Sequence, residues 1–154
     1  MKTLFVFIAI VFAAAFFGSV GTSFGVETWY PGLTRPIWGP PNWVFAPVWS
    51  LLYLTIALSG WLFWTHAPAF ERPFPMALWA IQLFLNSIWS WIFFYGQSPY
   101  YALWDIGILW VFILLTIVSF WPIHRWASIL LLPYFGWVSF AGVLNYWIHI
   151  YNQT

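Results

Sequence analysis

Seven charged side chains, Lys2, Glu27, Arg35, Glu71, Arg72, Asp105 and Arg125, are all that 154 residues carry, and their placement constrains the fold more than any other feature. They divide the chain into uncharged runs at 3–26, 36–70, 73–104, 106–124 and 126–154. Each run can hold the roughly 20 apolar residues that cross a bilayer core of about 30 Å as a helix. In lipid every backbone amide needs an internal partner, so only helices and closed barrels span. Barrel strands alternate apolar and polar residues over about ten positions, whereas these runs are apolar on every face. The expectation is an all-α membrane protein, a bundle of five transmembrane helices over about 4–22, 43–65, 76–95, 100–120 and 127–150, in a single domain over 1–154. Lys2 followed by apolar residues and Ala13 to Ala15 has the outline of a signal peptide. The uncharged run reaches Val26, longer than a typical signal core, and reads as a retained first span.

Several function classes are disfavoured by what is missing. A net charge of +1 provides no basic patch to neutralise phosphates, which argues against a nucleic-acid partner. The absence of cysteine excludes disulfides and thiolate metal sites. The three histidines lack metal-ligand spacing, no Ser, His and Asp obviously converge, and no glycine-rich phosphate loop is present. No obligatory cofactor or metal is expected.

Between the first two spans lies the most unusual stretch, Trp29 to Trp49, WYPGLTRPIWGPPNWVFAPVW, with five of the eleven prolines. Pro31, Pro36, Pro40 and Pro41 with Gly32 and Gly39 forbid a continuous helix. A loop over 27–42 is expected, held extended by its prolines as a lid on the bundle, with Pro47 falling in about the first turn of the next helix. Pro36, Pro40 and Pro41 would set the lid's shape, and Trp38 and Trp43 would anchor it. Lys2, Arg72 and Arg125 fall on one side of a five-span topology and Arg35 alone on the other. The positive-inside rule then predicts a cytoplasmic N-terminus, with the lid and the C-terminus outside.

The spans themselves carry a few informative residues. Gly18, Ser19, Gly21, Thr22, Ser23 and Gly25 end the first helix with small residues, suited to close helix packing or to a ligand-facing surface. Gln82, Asn86, Trp89 and Phe93 share one helical stripe, which should face the bundle interior because a polar amide facing lipid is costly. Asp105 is the one carboxylate inside an apolar span, a candidate for function and equally for helix capping or pairing. Trp137, Ala141, Leu144 and Ile148 form a stripe on the last helix, where Pro133 predicts a kink. With this topology Tyr30, Trp49, Asn86, Tyr101, Asp105, Trp137 and Ala141 all fall in the outer or central part of the bundle. Such a set describes a mostly apolar pocket with a few orienting polar groups, suited to a planar aromatic or polycyclic molecule.

Four blocks carry a resemblance over nearly the whole chain. WY-x-G-L-x-[KR]-P-x-W-x-P-P-x-W at Trp29 to Trp43 resembles the first loop of the TspO/MBR family of tryptophan-rich sensory and translocator proteins. Q-x-x-x-N-x-x-W-x-x-x-F-F at Gln82 to Phe94, A-L-x-D at Ala102 to Asp105, and P-Y-x-x-W-x-x-F-A-x-x-L-N at Pro133 to Asn145 follow in the family's order. The resemblance implies five transmembrane helices, frequent homodimers, and binding of porphyrins such as protoporphyrin IX, with benzodiazepine-site ligands and cholesterol in animal members. The expected location is a bacterial cell membrane. By motif position the family's pocket falls on Tyr30, Trp49, Asn86, Trp89, Asp105, Trp137, Ala141 and Leu144, with Trp38 and Tyr101 at its rim. Light- and oxygen-dependent porphyrin degradation in some members would correspond to Trp49 and Trp137, and a porphyrin or sterol transporter is a further alternative. Two departures stand out. Tyr101 occupies a position held by Trp in some members. Tyr146 is followed by no Lys or Arg, so the animal cholesterol-recognition pattern is missing.

Overall fold

A computed structural model describes residues 1–153, and Thr154, the last position of the expected domain, lies outside the described residues. The five runs form the helices α1 (Lys2–Ser23), α2 (Asn42–His66), α3 (Pro73–Ser90), α4 (Pro99–Phe120) and a broken fifth span made of α5 (Arg125–Ile129) and α6 (Leu132–Tyr151). No strand occurs among the described residues, and all five segments are long and apolar enough to cross a membrane. The break before α6 has a local cause. Pro133 has no N–H to give the carbonyl one turn earlier and its ring crowds that turn, so the helix stops at Ile129 and restarts. Pro47 lies inside α2 rather than in its opening turn, because the helix already starts at Asn42.

At one end of the bundle the packing is dense. Gly60 of α2 sits so close to Phe7 and Trp79 that an added Cβ would stand 2.7 Å from the Trp79 ring and 2.9 Å from Phe7. Trp79 Nε1 donates to the Ile56 carbonyl at 3.2 Å, tying α3 to α2. The α5 segment closes the same end, where Ser59 Oγ donates to the Ala127 carbonyl at 2.6 Å and Ser128 Oγ to that of Ile117 at 2.9 Å. Phe63 and Phe120 stack with centroids 4.0 Å apart. Burying hydroxyls is tolerable here because each finds a backbone carbonyl.

The opposite end is covered by the loop between α1 and α2. Its first half is not extended. The Gly25 carbonyl accepts from both Trp29 N–H and Tyr30 N–H, at 3.0 and 2.9 Å, and a single 3₁₀ turn follows at Tyr30–Gly32. The chain thus leaves α1 as a loosened helix, and only beyond Leu33 do the prolines impose an open course. The loop is fastened at two places. Gly25 lies directly on the Phe94 carbonyl, with no room for a Cβ. Asn152 clasps Thr34, accepting from its N–H at 2.8 Å and donating to its carbonyl at 2.9 Å.

Beneath the loop α3 changes its winding. Trp91–Tyr95 form a π-helical turn, closed by Gly96 N–H to the Trp91 carbonyl at 2.8 Å. Such turns are uncommon and concentrate at functional sites. Here the turn presents Phe93 and Phe94 to Tyr30, whose ring meets them edge-on at 6.1 and 5.6 Å. Gln97 then takes a left-handed φ of 48°, and Ser98 caps α4 by accepting from Tyr101 N–H at 3.3 Å.

Candidate functional site

Helices that meet tightly at the α5 end diverge toward the lid and leave a chamber of about 480 Å³. Ligand pockets commonly span about 300–1,000 Å³ with mostly apolar walls. Ala15, Gly18, Ser19 and Thr22 of α1 form one wall, and Phe45, Trp49 and Tyr53 of α2 the next. Asn86, Trp89 and Phe93 come from α3, and Trp137, Ala141, Leu144 and Asn145 from α6. Tyr30 reaches in from the lid. No Asp, Glu, Lys, Arg or His lines it among the described residues.

The aromatic walls are braced in pairs. Trp49 stacks on Tyr53 at 5.3 Å and meets Tyr134 edge-on at 6.3 Å. Trp137 lies edge-on to Phe45 at 5.9 Å, bridging α6 and α2. Trp89 stacks on Phe93 at 4.8 Å, and its Nε1 donates to Asn145 Oδ1 at 3.1 Å. Asn145 Nδ2 in turn donates to the Pro99 carbonyl at 2.9 Å, which anchors α6 to the start of α4.

Polar character is confined to a few directed groups. Tyr53 OH donates to Asn86 Oδ1 at 3.0 Å, and Asn86 Nδ2 donates to Tyr134 OH at 3.1 Å. That leaves Asn86 one further N–H and one lone-pair direction, since a carboxamide has two donors and two acceptor sites. On the α1 wall the hydroxyls of Ser19 and Thr22 donate back to the Phe16 and Gly18 carbonyls, so they present lone pairs outward. The wall is able to hold a flat apolar body by stacking and to orient it with few hydrogen bonds. It contains no evident acid, base or metal-binding group, and no cluster of three metal-ligating side chains exists among the described residues.

Of the residues singled out in the sequence, Tyr30, Trp49, Asn86, Trp89, Trp137, Ala141 and Leu144 meet around this chamber. Trp38, Tyr101 and Asp105 do not line it. Trp38 is half-exposed and rests edge-on against Phe140 of α6 at 6.0 Å, and Tyr101 is exposed beside Tyr100. Asp105 is buried in α4, with Oδ2 lacking a hydrogen-bond partner. Gln82, which shares the stripe of Asn86, is fully buried and its amide is also without partners. Tyr53 and Phe45 were not anticipated, although each lies one turn from Trp49 on the same face of α2.

Five membrane-spanning helices around an aromatic chamber, lidded by a proline-rich loop, define an integral membrane protein built as a lidded helical bundle. A sequence model of the TspO/MBR family matches residues 7–151, and the chain belongs to that family. It is 42% identical to the tryptophan-rich protein TspO of Archaeoglobus fulgidus over 92% of each chain. It is 41% identical to the tryptophan-rich protein TspO of Chlorobaculum tepidum, over 95% of this chain and 93% of that one. Likeness extends to animals, with 35% identity to the translocator protein of Sus scrofa over 81% of this chain and 75% of the other.

Proposed function

We propose that this protein is a membrane receptor or sensor that binds a porphyrin, or another planar polycyclic molecule, in the chamber beneath its first loop. The observation that carries the reading is the chamber itself, about 480 Å³ enclosed by Trp49, Trp89, Trp137, Tyr30 and Phe93 with Asn86 as the main directed amide. Flat indole and phenol faces bury large area at low entropic cost and favour offset or edge contacts with another ring. Trp49 and Trp137 would flank the ligand, and Asn86 would offer its free N–H. The charge distribution supports an orientation with the lid on the outer side of the membrane and the N-terminus in the cytoplasm.

Titration of purified protein with protoporphyrin IX, followed by quenching of tryptophan emission, tests the reading. Saturable binding that weakens at least tenfold in the Trp49→Ala, Trp137→Ala double variant is the expected result. Equal affinity in the two proteins would remove the proposed site.

A further inference from the structure

A second cavity, of about 410 Å³, opens within the lid between Leu33 and Pro41. Tyr30 and Leu144 line both this cavity and the main chamber, so the two adjoin across those side chains. Arg35 is the single charged side chain lining either one. Its guanidinium lies 5.0 Å over the Tyr30 ring, and its Nη1 donates to Asn42 Oδ1 at 3.4 Å. Asn42 itself lines the main chamber.

The backbone around Arg35 is held from both sides. Asn152 clasps Thr34 through two hydrogen bonds, the buried Pro36 follows, and Gly39 N–H donates to the Pro36 carbonyl at 3.0 Å. Stacking on an aromatic face orients a guanidinium and leaves its in-plane N–H groups free for a planar acid. No carboxylate of the described residues lies within ion-pair distance of it.

We infer that Arg35 and the lid cavity form a subsite for the ionised carboxylate of a ligand whose planar apolar body occupies the main chamber. The inference deepens the proposed function and rests on it. An ionised acid placed among the chamber's apolar walls would lose its hydration with no cation to offset the loss. Beside Arg35 the same group keeps partial contact with water and gains a charge-assisted, geometrically matched partner. A ligand that uses both cavities is therefore an amphipathic planar acid, and a neutral polycycle would use the main chamber alone.

The test compares protoporphyrin IX with its dimethyl ester, titrated into the full chain in a neutral detergent. Arg35→Gln is expected to weaken the acid about three- to tenfold, between an exposed and a partly desolvated pair, and to leave the ester within twofold. Arg35→Lys should recover part of the loss, and added salt should weaken the acid in the parent protein more than in Arg35→Gln. Ester binding that is normal, with acid binding indifferent to Arg35→Gln, overturns the subsite and leaves the chamber reading intact. Equal loss for acid and ester overturns it as well, by making Arg35 a support of the lid. An effect of Arg35→Gln seen only in nanodiscs of anionic lipid would reassign the guanidinium to lipid phosphate. Failure of both compounds to bind the parent protein would overturn this inference together with the proposed function.

Discussion

Tyr53 of α2 donates its hydroxyl proton to Asn86 Oδ1 of α3 at 3.0 Å, a second tie between these helices besides the Trp79 bond to the Ile56 carbonyl. Asn86 passes the connection to Tyr134 of α6 at 3.1 Å, so one side chain links three helices around the chamber. Tyr53→Phe keeps the ring that stacks on Trp49 and removes only the donor. Net hydrogen bonds contribute about 0.5–1.5 kcal/mol in proteins, and those between membrane helices average about 0.6. Tyr53→Phe should therefore lower stability by about 1 kcal/mol in detergent unfolding titrations. Asn86→Ala, which orphans two hydroxyls, should cost about 2 kcal/mol. Since both tyrosines act through one amide, the Tyr53→Phe, Tyr134→Phe cycle should show a coupling of about 0.5 kcal/mol or more, and strict additivity would refute the relay.

Gly25 is placed where the lid crosses the π-helical turn of α3, with its α-carbon against the Phe94 carbonyl. A backbone neighbour cannot rotate aside as a side-chain tip can. Gly25→Ala should push the lid off Phe94 and destabilise by about 1–3 kcal/mol, the usual range for overpacking. Gly107, on an open face of α4 with nothing near its missing Cβ, is the matched control. Gly107→Ala should be neutral or stabilising by less than about 1 kcal/mol, and a similar midpoint shift in both variants would show that the Phe94 contact is unimportant.

How much of this was legible in the sequence depends on the kind of constraint. Helix number followed from the seven charges, because a membrane core tolerates so few that their positions mark the ends of spans. The chamber's α3 and α6 stripes followed from periodicity around Asn86 and Trp137. Tyr53 and Phe45 did not stand out, since in a chain with 26% aromatic residues a ring one turn from Trp49 has no compositional signature. The small residues of α1 left packing and a cavity-facing surface both open, and the structure divides them between the two. Gly21 supports the Trp91 ring, while Gly18, Ser19 and Thr22 line the cavity. The lid's helical first half was hidden because prolines exclude a long helix yet are compatible with the single turn at Tyr30–Gly32.

Asn152 is the other fastening of the lid, and it holds both backbone groups of Thr34 with one amide. Asn152→Ala should leave the helices intact and free the segment that carries Arg35. Losing about 0.5–1 kcal/mol of lid closure corresponds to about a two- to fivefold faster release of bound porphyrin in stopped-flow fluorescence. Hydrogen exchange at the Thr34 amide should accelerate with it. Unchanged exchange at Thr34 would mean that the clasp does not hold the lid in solution.

At the opposite end, His124 makes stability depend on pH. Its Nδ1 accepts from Ala127 N–H at 3.2 Å as the cap of α5, and its ring lies 4.3 Å from that of His66. Burial first, and the neighbouring His66 second, hold His124 below the ordinary histidine range. Protonation would also abolish the cap, because a protonated Nδ1 cannot accept. In the unfolded chain His124 takes up its proton near pH 6.5, before it does so in the fold. As pH falls below that value the unfolded state binds more protons and gains, so stability declines until the folded-state value is passed; above about pH 6.5 the contribution of His124 is fully present. Melting midpoints in detergent should drop between pH 7.5 and 5.5. His124→Asn, which keeps a capping oxygen without a titrating ring, should flatten that dependence. An equal drop in the variant would assign the pH response to other groups.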